Sequence, residues 1–112
     1  MKEARKWIVH RISAVIVAPP GAGKTTIVPL KLLDNPNING QIIILEPRRL
    51  AARAAASQMA AILNERIGET VGFQIKGLSN VSKQTRIVVM TEGILIRMIQ
   101  SDPSLSKVGC II

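Results

Sequence analysis

Ala14-Val-Ile-Val17 runs directly into Ala18-Pro-Pro-Gly-Ala-Gly-Lys-Thr25. The apolar run, set within Ser13 to Ala18, reads as a short buried strand. It feeds a glycine-containing loop ending in Gly23-Lys24-Thr25, and residues 23–33 read as a helix opened by that loop. Strand, loop and helix in this order form an anion nest, because backbone N–H groups turn inward and the helix contributes its positive dipole end. Gly21 and Gly23 let the backbone turn closely around a ligand. Lys24 places a compact charge at the β and γ phosphates, and the Thr25 hydroxyl ligates Mg²⁺. The reading is a nucleoside-triphosphate loop made by Pro20, Gly21, Ala22, Gly23, Lys24, Thr25 and Thr26, with Mg²⁺ beside the triphosphate. The usual pattern has glycine where this chain has Ala18, a small departure at the loop entrance.

Outward from the loop, the chain alternates strand and helix patterns. Residues 2–11 are helix-compatible, and Pro29 is expected to kink or break the helix after the loop. Asp34 to Gly40 is rich in turn residues. Gln41 to Leu45 is continuously apolar after its first residue, as suits a strand covered on both faces. A helix is expected from about Arg48 to Arg66, with Leu50, Ala54, Ala55, Met59, Ile62 and Leu63 as its apolar face and Gly68 as its stop. Val71 to Lys76 and Arg86 to Met90 read as strands joined by a polar connection over residues 79–84. Thr91 reads as the N-cap of a helix through Gln100 that ends at Asp102-Pro103. Val108 to Ile112 reads as a further strand. This pattern specifies an α/β fold with a parallel sheet flanked by helices. Right-handed crossovers put the phosphate loop at the carboxyl ends of the strands, where such sheets bind ligands.

Length and composition bound the rest. The 112 residues make one small domain, 1–112, with 47% hydrophobic and only 2% aromatic residues, so its core is aliphatic. A net charge of +8 and an isoelectric point near 10.6 favour polyanionic partners, nucleic acid first. The lone cysteine, Cys110, sits in an apolar run and reads as a small buried hydrophobe in a reducing, cytoplasmic setting. No run is long enough to span a membrane.

The residues after the other strands carry a resemblance. Glu46-Pro-Arg-Arg-Leu-Ala-Ala-Arg53 and Thr91-Glu-Gly-Ile-Leu95, together with residues 18–26, resemble motifs Ia, Ib and I of superfamily 2 helicases of the DEAH/RHA group. Val71-Gly-Phe-Gln-Ile-Lys76 resembles a segment which that group carries between Ia and Ib. The wording of the motifs is most similar to the bacterial HrpB-type helicases. The resemblance implies the N-terminal RecA-like domain of an ATP-dependent helicase, in part, with ATP as the nucleotide and Lys24 as the catalytic residue of the loop. It implies that Arg48, Arg49, Thr91 and Gly93 hold the backbone of single-stranded RNA or DNA without reading its bases. Arg48 and Arg49 at a helix start oppose the helix dipole, which itself points to an anionic partner. Arg53 and Arg97 are weaker candidates for that role.

In this group the strand beginning at Val108 leads into Asp-Glu-x-His, and the chain stops at Ile112. The expectation is therefore a half-motor, truncated before the acidic segment, that binds but does not unwind alone and that pairs with a C-terminal helicase portion. The alternatives are a non-catalytic α/β module binding nucleic acid or protein, and a small-molecule kinase. The second leaves the Pro-Arg-Arg and Thr-Glu-Gly segments without a use.

Overall fold

The computed structural model describes residues 27–112 and the backbone of Ala14–Val15. The sheet contains β1 (Ala14–Val15), β2 (Gln41–Leu45), β3 (Val71–Ile75), β4 (Leu78–Asn80), β5 (Ile87–Met90) and β6 (Val108–Ile111). The helices are α1 (Ile27–Leu32), α2 (Arg49–Ile62) and α3 (Glu92–Ser101). The strand order is β1-β6-β2-β5-β3-β4. Every pairing is parallel except that of β3 with β4. The expected strand at the phosphate loop is described over Ala14–Val15, while the helix expected over residues 2–11 lies outside the described residues.

Two apolar layers explain the unbroken Ile42-Ile43-Ile44. Successive strand side chains point to opposite faces. Ile42 and Ile44 join Val71, Phe73, Ile87 and Val89 on the face covered by Ala52, Ala56 and Met59 of α2. Ile43 joins Val88, Met90 and Val108 on the other face, against Ile94, Leu95 and Met98 of α3. Cys110 is fully buried, as its apolar neighbourhood implied, and burial pushes its thiol pKa up.

Several local expectations need correction. The helix expected to reach Arg66 ends at Ile62, and Gly68 is not its stop. Asn64 takes the left-handed position instead, with φ +57°. Its N–H bonds to the Ala61 carbonyl, and the Glu65 N–H reaches back to the Ala60 carbonyl. That pair of bonds is a Schellman ending, a role Asn fills when Gly does not. The buried face of α2 is Ala52, Ala55, Ala56, Met59 and Ala60. Leu50 and Ile62 are exposed, Leu50 at 81%. A stripe of alanines packs closest to the sheet here, so hydrophobic size alone misplaces the face. Pro29 does not break α1, which continues to Leu32. The polar connection after β3 starts with a strand. Gly77, at φ +81°, turns the chain so that β4 pairs antiparallel at the sheet edge, and all three β4 residues are exposed. Exposed residues leave no period-two burial signal for a sequence reading to detect.

Between α3 and β6, Asp102 accepts from the Ser106 Oγ at 2.8 Å and N–H at 2.9 Å, and from the Ser104 Oγ at 2.9 Å. These donors, the Ser106 hydroxyl foremost, hold its carboxyl below the ordinary range.

The corrected α2 face gives a direct contrast. Met59→Ala is expected to lower stability by about 2–5 kcal/mol, and Leu50→Ala to change it by less than about 0.5 kcal/mol. Urea unfolding of the two variants checks it, and similar losses in both would return Leu50 to the core.

Candidate nucleic-acid interface

Five parallel strands end at one edge of the sheet, and the candidate residues follow directly from them. β2 and β5 are neighbours with Leu45 opposite Met90. Just beyond that pair the Glu46 N–H donates to the Met90 carbonyl at 2.9 Å. The segment from Glu46 to Arg49 and the segment from Thr91 to Gly93 are therefore stapled side by side. Their closeness is a property of the sheet order, since they lie far apart in sequence.

At the start of α2, Arg48 occupies the N-cap position in extended backbone, φ −119° and ψ 137°, with no side-chain cap bond. Arg48 and Arg49 are both exposed, so two cations sit at the positive end of a helix dipole that has no acidic residue in its first turn. The Arg49 Nη2 donates to the Lys76 carbonyl at 3.0 Å, tying the helix start to the residue after β3, and its other N–H groups have no partner among the described residues. Arg53 lies over the Phe73 ring at 5.9 Å, a packing role on the α2–β3 contact. Arg97 is exposed on α3.

At the start of α3, Thr91 is the N-cap as expected, at φ −87° and ψ 163°, yet its hydroxyl makes no cap bond. Its carbonyl accepts from the Ile94 and Leu95 N–H groups. Among the described residues no carbonyl accepts the N–H of Glu92 or Gly93. A Cβ placed on Gly93 would meet nothing within 4 Å, so the backbone here is open to close approach. Two free N–H donors, an unspent hydroxyl and two arginines thus share one edge. Such a set suits phosphodiester oxygens. The Glu92 N–H is a donor the sequence reading did not name, since backbone donors have no residue signature.

Pro20, Gly21, Ala22, Gly23, Lys24, Thr25 and Thr26 lie outside the described residues. β1 is parallel to β6, with Ala14 opposite Cys110 and Val15 opposite Ile111, so its carboxyl end points to the same edge. Among the described residues no group of three or more His, Cys, Asp or Glu could hold a metal ion. No helix among them is long and apolar enough to cross a membrane.

Comparison with known proteins decides the family. A DEAD/DEAH box helicase profile matches residues 2–112, nearly the whole chain. This chain belongs to the DEAD/DEAH box helicase family. It is 55% identical over 98 residues to the ATP-dependent RNA helicase HrpB of Escherichia coli, covering 88% of this chain and 12% of that protein. It is 36% identical over 111 residues to an ATP-dependent RNA helicase HrpA homolog of Haemophilus influenzae, covering 98% of this chain and 8% of that one. A crystal structure of the Escherichia coli DEAH/RHA helicase HrpB superposes with a TM-score of 0.79 at 48% identity, covering 98% of this chain and 14% of that one. The helicase chain described here thus spans about an eighth of the HrpB length, and its mostly parallel sheet matches the RecA-like domain of that protein.

Two variants test the geometry of the helicase edge without any ligand. Thr91→Ala is expected to cost less than about 0.5 kcal/mol, where a capping threonine costs about 1 kcal/mol. Gly93→Ala is expected to stabilise by about 0.5–1 kcal/mol, as for glycine inside a helix with open space around it. Melting temperatures of both check this, and a full capping loss in Thr91→Ala would show the hydroxyl already committed to the helix.

Proposed function

We propose that this chain is the ATP-binding and single-stranded-nucleic-acid-binding portion of an ATP-dependent RNA helicase. The observation that carries the reading is the convergence on one sheet edge of the carboxyl end of β1, the two arginines opening α2, and the free donors opening α3. Names of the relatives, ATP-dependent RNA helicases throughout those cited, support RNA as the strand and ATP as the nucleotide.

In this reading, residues 20–26 hold the triphosphate. Lys24 neutralises the β and γ phosphates, and the Thr25 hydroxyl offers Mg²⁺ a hard oxygen ligand. The donor set fits: backbone N–H groups and a lysine suit phosphate oxygens, and a hydroxyl suits Mg²⁺. When bound, the nucleotide supplies the phosphoryl group and its charge. Arg48 and Arg49 hold strand phosphates by charge, Gly93 admits the strand to the backbone, and the Thr91 hydroxyl and the Glu92 and Gly93 N–H groups fix its register. None of these contacts reads a base, so binding is tolerant of sequence. Phosphoryl transfer also needs groups that position the attacking water and stabilise the developing charge. In this reading residues 20–26 and the carboxyl edge supply nucleotide and strand binding, and groups elsewhere in a helicase would supply the positioning of water and the charge stabilisation.

Titration of a fluorescent ATP analogue with Mg²⁺, with and without single-stranded RNA, tests this. Lys24→Ala is expected to weaken nucleotide binding by about tenfold or more, consistent with losing a charge-assisted contact. Arg48→Ala is expected to leave nucleotide binding alone and to lower the salt dependence of RNA binding by about 0.7 in log–log slope, one phosphate contact. RNA binding that ignores Arg48 and Gly93, in a folded protein that binds no nucleotide, would favour the non-catalytic module.

A further inference from the structure

We infer that the opposite, amino-terminal edge of the sheet carries a second phosphate-binding site, built on Lys83, Arg86 and Lys107. These three, with Gly40, Gln41, Ser82 and Thr85, line an open recess of about 420 Å³. The recess forms where three neighbouring strands begin. Gln41 opens β2, Arg86 directly precedes β5, and Lys107 directly precedes β6, the sheet order being β6-β2-β5. Residues that the sequence scatters across 68 positions (40 to 107) are brought together by strand order alone.

Among the described residues none that lines the recess is acidic. No carboxylate pairs with Lys83, Arg86 or Lys107 among the described residues. Three cations around one recess repel one another, and a multiply charged anion seated among them relieves that repulsion. The walls are held in place. The Gln41 N–H donates to the Lys107 carbonyl and the Ile42 N–H to the Arg86 carbonyl, each at 2.7 Å. The Arg86 Nε donates to the Gly40 carbonyl at 3.2 Å, which orients the guanidinium and leaves both Nη groups for a ligand. Gly40 adopts φ +97°, and a Cβ there would come within 2.5 Å of the Lys107 carbonyl oxygen, so this wall is bare backbone. A planar guanidinium fork flanked by two ammonium charges suits a phosphate group better than a single carboxylate.

The strands between the two edges are four or five residues long, a separation of roughly 15 Å at 3.3 Å per residue. The recess is therefore separate from the edge proposed for ATP and RNA. Its ligand is a phosphate-bearing anion, supplied either by the backbone of an RNA strand that wraps past the sheet or by a free polyphosphate.

Calorimetric titration of inorganic pyrophosphate into the 112-residue chain tests it, in a Lys24→Ala background that removes the phosphate loop as a competing site. Binding is expected to persist in Lys24→Ala and to weaken about tenfold or more on adding Lys83→Ala and Lys107→Ala, the loss of two charge-assisted contacts. Both lysines are exposed, and an unchanged melting temperature confirms the fold. Pyrophosphate binding that vanishes with Lys24→Ala alone, or that survives loss of both lysines, overturns the site. With oligouridine, a salt slope about 1.4 lower in Lys83→Ala/Lys107→Ala assigns the site to the RNA backbone. An unchanged slope alongside lost pyrophosphate binding assigns it to a free polyphosphate. Binding of the fluorescent ATP analogue is expected to be unchanged in Lys83→Ala/Lys107→Ala, so failure of the carboxyl-edge reading is distinguishable from failure here.

Discussion

Parallel pairing of β2 with β5 is the constraint on which the rest of the molecule depends. It aligns Leu45 with Met90 and brings the Glu46 N–H to the Met90 carbonyl. Two helix starts are thereby fixed beside each other, and the donors and charges they carry become one surface. The same pairing, with β6 on the other side of β2, gathers the strand beginnings into the basic recess. One set of backbone bonds thus builds both edges. A helix start is rich in unpaired N–H groups, so a parallel sheet concentrates anion-binding capacity at its carboxyl end without any special side chain.

Charge placement follows from that geometry. A basic protein of +8 spread over its surface would attract polyanions without orienting them. Here Arg48 and Arg49 stand where a helix dipole is already positive, with no acidic residue in the first turn. That arrangement costs the free protein a little, a cost that a bound anion would offset. Arg49 shows how one side chain serves both needs, since its bond to the Lys76 carbonyl anchors the start of α2 beside β3 while its other N–H groups have no partner among the described residues. Arg53, by contrast, packs over Phe73. Three arginines close in sequence therefore separate by contact, not by composition.

Much of the fold was legible from residue types. The bounds of β2 and the start of β3 agree with the continuous apolar runs, and α3 ends close to Asp102-Pro103 as read. The errors have physical causes. The face of α2 was misread because alanines, not the larger Leu50 and Ile62, meet the sheet. The end of α2 was misread because Asn64 adopts the left-handed conformation usually left to glycine. β4 escaped because an exposed edge strand has no buried alternation to reveal it. Of the candidate site, motif resemblance named Arg48, Arg49, Thr91 and Gly93, which the sheet brings to one edge, whereas the Glu92 N–H and the basic recess were not named, as backbone donors and distant strand starts carry no local pattern.

By itself the amino-acid sequence determined the α/β class and the family resemblance, because strand–helix alternation and motif spacing are local properties of the chain, and it is the basis on which residues 20–26 are proposed as a phosphate loop. Only the tertiary structure decided which side chains share an edge. Neighbourhood in a parallel sheet is set by strand order, and strand order β1-β6-β2-β5-β3-β4 arises from crossover connections and long-range packing that no short stretch of sequence encodes.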